Sequence, residues 1–197
     1  MTFEYGYLWN STLSELTDGG SGTPMPWSDD FAESVFLGEH VIAGLVNMTV
    51  LKRVDGVPVA VAAFQNAGHS VSVEFLDAEL RTELAYTFTD HAPETVLSPD
   101  GVQRPDDLFL WNVTSFGYSG ELDRYRDPVK SRQIQRGYAN TGKTGVNLDI
   151  EDPEQPYMGV RSEVLDVSGD GFWEPVATFG DWDRWFVKDR PGVKLFD

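Results

Sequence analysis

The sequence predicts a mainly β protein, an antiparallel β-sandwich or small barrel with one short helix and long loops. Three observations lead there. Segments such as "SVSVEFL" (70–76) and "TELAYTFT" (82–89) alternate apolar and polar residues with a period of two, as a half-buried strand requires. An Asp55-Gly56 pair lies between β-branched runs and marks a hairpin. Only one stretch, "SDDFAESVF" (28–36), has the character of a helix.

Taken in order, "FEYGYLW" (3–9) alternates enough for a first strand, and "TDGGSGTPMPW" (17–27) follows as a loop, so that residues 1–27 form an N-terminal arm. In the helix, Asp30 is the expected cap, with Glu33 three positions on. Strands are then expected at 40–53, 57–64, 70–76, 82–89, 108–116, 145–150, 160–167 and 182–187. Polar excursions separate them at 17–30, 90–107 and 117–143, the last an extended cationic loop reaching residue 144. With 197 residues and no repeat of fixed period, one β-rich domain spans 1–197.

Charge sets the boundaries on function. The formal net charge is −17, and there are five lysines (Lys52, Lys130, Lys143, Lys188, Lys194). Such a chain repels nucleic acid and anionic membrane and stays dissolved where other surfaces precipitate. Asp-rich, Lys-poor composition resembles that of proteins from salt-loving organisms, in which screening removes self-repulsion. The absence of cysteine excludes disulfides, thiol nucleophiles and thiolate metal sites. The first twenty residues have no basic start followed by an apolar run, so a secretory signal is not expected.

Against this acidic background, Arg124, Arg126, Lys130, Arg132, Arg136 and Lys143 are accompanied by the single acid Asp127. The segment carries about +5 and the remainder about −22. It also contains "GYANTGKT" (137–144), which spells a phosphate-binding loop. That motif requires a buried strand before it and a helix after it. Here Lys130, Arg132 and Arg136 precede it with only Val129 and Ile134 for apolar content, and Pro153 and Pro156 follow. The segment is therefore read as a turn within an interface element. It is expected to meet copies of the same chain or other assembly proteins, with pairing across its own acidic sheet or the binding of an anion as alternatives, and nucleic acid is unlikely as a partner apart from this cationic loop.

Three further groups of residues bear on chemistry. Asp166, Ser168 and Asp170, with the Phe172 carbonyl and Glu174, present oxygens at alternating positions, and Gly171 permits a bend. The spacing resembles that of short calcium loops, which would bind Ca or Mg, but Ala177 stands where a bidentate Glu would close the loop. The alternative is a Gly-rich turn with solvated acids. "AGHSVS" (67–72) echoes a nucleophile elbow but leads into a strand, and His40, His69 and His91 are far apart, so no catalytic residue or organic cofactor is assigned. Asp29-Asp30 and Asp106-Asp107 read as caps and turns. Trp173, Trp182 and Trp185 offer either an exposed aromatic anchor or a core-closing strand.

The stretch "VLKRVDGVPVAVAAFQNAGHSVSVEF" (50–75) resembles the opening of tail-tube and related tail proteins of tailed viruses. That resemblance implies a β-sandwich that self-assembles through long loops. The resulting expectation is a non-enzymatic structural protein, a virion or tail component assembled in the cytoplasm of a salt-loving host. The alternative is an acidic, immunity-type protein that neutralises a partner enzyme.

Overall fold

The computed structural model describes residues 1–10, 13–18, 23–40, 47–65, 68–90, 107–122, 128–137, 145–148, 159–162 and 170–193. Its centre is a meander of five antiparallel strands: β4 (Asn47–Val54), β5 (Val57–Gln65), β6 (Ser70–Leu76), β7 (Thr82–Thr89) and β8 (Asp107–Leu122). The β4–β5 hairpin closes through Asp55 and Gly56, whose φ angles of 52° and 82° are both left-handed. A two-residue turn matching strand twist needs that geometry at both central positions. Space around Gly56 is open, so backbone conformation rather than crowding selects glycine there.

β1 (Thr2–Gly6) pairs with β4, and β12 (Trp173–Pro175) pairs with the start of β8, giving the order β1-β4-β5-β6-β7-β8-β12. β9 (Pro128–Gly137) pairs with β8 as an additional strand. The small pairs β2 (Leu8–Asn10) with β3 (Glu15–Thr17) and β10 (Gly145–Leu148) with β11 (Gly159–Ser162) lie outside this sheet. The large sheet curls into a half-barrel, and the expected mainly β fold with one short helix is what is found.

Alternation along the strands creates the core. Val50, Ala62, Phe64, Val71, Val73, Phe75, Leu84, Tyr86, Phe88 and Leu110 are buried on one face. Helix α1 (Asp29–Phe36) covers that face with Ala32 and Phe36, and the C-terminal segment covers it with Trp182, Trp185 and Phe186. On the opposite face, Leu51, Val61 and Leu76 pack with Leu16 and Trp9 of the β2–β3 hairpin.

Four local expectations are corrected. Ser28 caps the helix, not Asp30: it has extended φ and ψ, and its hydroxyl accepts from Phe31 N. Asp29 and Asp30 instead occupy the first turn, where carboxylates favour the helix dipole. The N-terminal residues are not a detached arm over their described length, because β1 is bonded along five residues of β4. Residues 182–187 form turns rather than a strand, with Trp185 N donating to Trp182 O and Phe186 N to Asp183 O. Finally, 117–143 is not an unstructured excursion, since β8 continues to Leu122 and β9 occupies 128–137.

Candidate functional site

The junction of β6, β7 and β8 brings together a connected cluster of polar side chains among the described residues. The β6–β7 turn is built by Asp77. Its Oδ1 accepts from Glu79 N and Arg81 N, and its Oδ2 accepts from Arg81 Nε at 2.7 Å. Leu80 takes a left-handed φ of 63° within this turn. A register shift at Phe75/Leu76 then sets Thr82 opposite Leu76. The extra residue restores Thr82 to the face shared by Glu74 and Ala85.

From that position Thr82 Oγ1 donates to Glu74 Oε2 at 2.6 Å, and the Thr82 carbonyl accepts from the Tyr118 hydroxyl at 2.8 Å. The Arg81 guanidinium lies 4.4 Å from the centre of the Tyr118 ring. Glu74, Thr82, Ala85, Phe116 and Tyr118 line a pocket of about 250 Å³ beside this network.

The electrostatics are consistent with this geometry. Burial pushes the Asp77 carboxyl upward, but hydrogen bonds from the Arg81 side chain and backbone, together with its charge, hold it below the usual carboxylate range. Arg81 is pushed up, chiefly by its bond to Asp77. The Tyr118 hydroxyl is raised first by burial and then by Asp77, with Glu74 adding and Arg81 opposing.

This cluster lies at the base of a long hairpin. β7 pairs with β8 only from Phe109 to Ser115, whereas β9 follows β8 from Asn112 to Leu122. Past Ser115 the two strands run on as a ribbon, and Tyr118 is the residue whose hydroxyl and ring tie that ribbon back to Thr82 and Arg81.

Three of the six expected interface cations belong to β9, and two of these, Lys130 and Arg132, pair with the part of β8 beyond Ser115. Lys130, Arg132 and Arg136 stand at β9 register positions opposite Tyr118, Gly117 and Val113. Arg124, Arg126 and Lys143 lie outside the described residues. Gly137 ends β9 and a strand, β10, begins at Gly145, so no helix N-terminus follows the phosphate-loop pattern. The pattern therefore lacks the geometry its chemistry needs.

Of the two readings for Trp182 and Trp185, the exposed anchor is corrected: both close the core, though from turns and not from a strand. These side chains are 1% and 0% exposed, and their rings contact Phe64. Turn geometry explains this: residues three apart share a side of a helical turn, whereas strand alternation would separate them. Trp173 is half-buried, its ring 4.9 Å from that of Phe109.

Of the expected metal set, Asp166 and Ser168 lie outside the described residues, and Asp170 opens a short 3-10 turn. The Phe172 ring is in the core. The Glu174 carboxylate accepts from Arg190, a pairing in which both side chains are largely buried. Gly171 serves packing here, because a Cβ would lie 2.0 Å from the Pro191 carbonyl oxygen. Among the described residues, no three His, Asp or Glu side chains converge as metal ligands.

In the elbow-like stretch, His69 Nδ1 sits 3.2 Å from Asp90 Oδ2 in an exposed pair, and Ser70 and Ser72 belong to β6. The Asp77–Arg81–Tyr118 network was not anticipated from sequence. Its available signal was "DAELR" (77–81), an Asp followed four residues on by Arg between two alternating strands. Comparison with family models, with characterised proteins and with solved structures returns no match.

Proposed function

We propose that this chain is a structural protein that acts by self-association, as a component of an assembled particle such as a virion or viral tail, with the β8–β9 ribbon as its contact element. One observation carries the reading: Lys130 and Arg132, from the most cationic segment of a strongly acidic chain, stand on a paired ribbon that continues past β7 and is tethered at Tyr118. A pre-ordered strand pair loses less conformational freedom on docking than a loop does. A segment of about +5 meeting a body of about −22 gives complementary potentials between copies, which sets register and suppresses wrong partners. The described residues of the segment that resembles viral tail proteins, 50–75, belong to the β4–β5–β6 meander, and Glu74 of that segment lines the pocket at the ribbon base. High salt suits such a protein, because screening relieves repulsion between distant acidic surfaces before it weakens close ion pairs.

The test is a charge-reversed ribbon, Lys130→Glu with Arg132→Glu and Arg136→Glu, compared with wild type by sedimentation velocity. The variant should sediment as a single copy under conditions where wild type associates, with an unchanged thermal transition. Identical mass distributions for the two would reject the ribbon as the contact element.

A further inference from the structure

The pocket at the ribbon base has chemistry of its own. Two of its walls are the aromatic side chains Phe116 and Tyr118, Ala85 leaves room between them, and Glu74 with Thr82 supplies the polar side. One Glu74 oxygen is engaged by the Thr82 hydroxyl. An ionised carboxylate has roughly four acceptor positions, so Glu74 retains capacity for a second donor. The Tyr118 ring already receives one guanidinium, that of Arg81, at 4.4 Å, so its π-system is in use as a cation surface.

Charge selects the occupant further. Asp77 and Glu79 are both paired with the one cation Arg81, and Glu74 is bonded to the Thr82 hydroxyl beside them. The Tyr118 hydroxyl is raised first by burial and next by the Asp77 charge, with Arg81 opposing and Glu74 adding. An anion would be repelled, and a neutral polar group would gain little from the carboxylate. A volume of about 250 Å³ suits the head and part of the stem of one basic side chain.

We propose that this pocket takes a guanidinium or alkylammonium group, and that the donor is an Arg or Lys from the 124–143 segment of a second copy of the chain. The donor's identity rests on the assembly reading; the pocket's chemistry does not. Aromatic walls with one carboxylate bind such a cation through cation–π attraction and a charge-assisted hydrogen bond acting together. Assembly would then be directional, with ribbon to pocket, and an open chain of copies would leave one unfilled pocket at one end and one undocked ribbon at the other.

The full chain is titrated with agmatine, a guanidinium probe that also carries an ammonium group, and with butylurea, which lacks both charges, while aromatic NMR signals of Tyr118 and Phe116 are followed. Agmatine should bind saturably and at least tenfold more tightly than butylurea, and Glu74→Gln should weaken it at least tenfold. Equal binding of the two probes, or no saturable shift in wild type, overturns the pocket assignment without reliance on any variant. The donor is tested separately by sedimentation. Saturating agmatine should dissociate copies that associate in its absence. Agmatine that binds without changing the mass overturns the second-copy donor and assigns the pocket to free organic cations. A chain that remains single throughout yet binds agmatine refutes the assembly reading and leaves the pocket standing.

Discussion

Replacing Glu174 by Gln separates a structural carboxylate from a metal ligand. In the folded chain, Glu174 on β12 accepts from Arg190 Nη1, and the two side chains are 15% and 3% exposed. Arg190 Nη2 donates to the Arg184 carbonyl at 3.0 Å, and the guanidinium lies 4.6 Å from the Phe88 ring centre and 5.8 Å from that of Tyr86. Removing one partner from a buried pair costs about 3–5 kcal/mol, because a charge is left uncompensated. The carbonyl and the two rings remain after Glu174→Gln, which puts the expected loss at the lower end, about 3 kcal/mol. For a domain of this size, that corresponds to a fall in Tm of about 6–12 °C. The assay is urea and thermal unfolding followed by circular dichroism, in chelator and again in millimolar calcium. The same loss is expected in both. A loss below about 0.5 kcal/mol would refute the buried-pair argument, since a change that small is typical of an ordinary surface substitution. Calcium stabilisation of wild type that disappears in the variant would instead make Glu174 a ligand.

Other outcomes follow from single contacts. Gly171→Ala should destabilise by about 1–3 kcal/mol or more, because the new methyl would collide with the Pro191 backbone; a neutral urea midpoint would contradict that packing. Asp77 has a depressed pKa in the fold, so its contribution is present above the ordinary carboxylate pKa of about 4 and is lost as pH falls through the lower folded value. The stability gap between wild type and Asp77→Asn at neutral pH should therefore close near pH 2, and a gap that persists there would contradict the sign. Tyr118→Phe removes the bond to the Thr82 carbonyl, worth about 1 kcal/mol, and should speed hydrogen exchange across residues 116–122 about fivefold. Unchanged exchange would mean that Tyr118 does not tether the ribbon.

The regular part of the fold was legible because the strands follow a simple alternation. Ser70–Leu76 and Thr82–Thr89 match their expected bounds, and the Asp55-Gly56 turn has the two left-handed residues its sequence requires. What escaped was structure that does not depend on local period. β9 has few apolar residues because an added strand is held by backbone bonds to β8, so its composition reads as loop. Trp182 and Trp185 would lie on opposite faces of a strand, and only the turns at 183–186 bring both into the core. Glu174 fitted an oxygen-ligand spacing, but the partner that engages it, Arg190, is sixteen residues away. The pocket was least visible, since Glu74, Thr82 and Tyr118 meet only through a register shift between β6 and β7 and the separate pairing of β8.

Self-association is the central claim, and the mass of the full chain by light scattering at low and at multimolar salt tests it most directly. Particles of several copies are expected, with the larger mass at high salt, where long-range repulsion from a net charge of −17 is screened. A mass of 22.0 kDa at both salt concentrations would contradict it and favour an acidic protein that acts as a single copy on a basic partner.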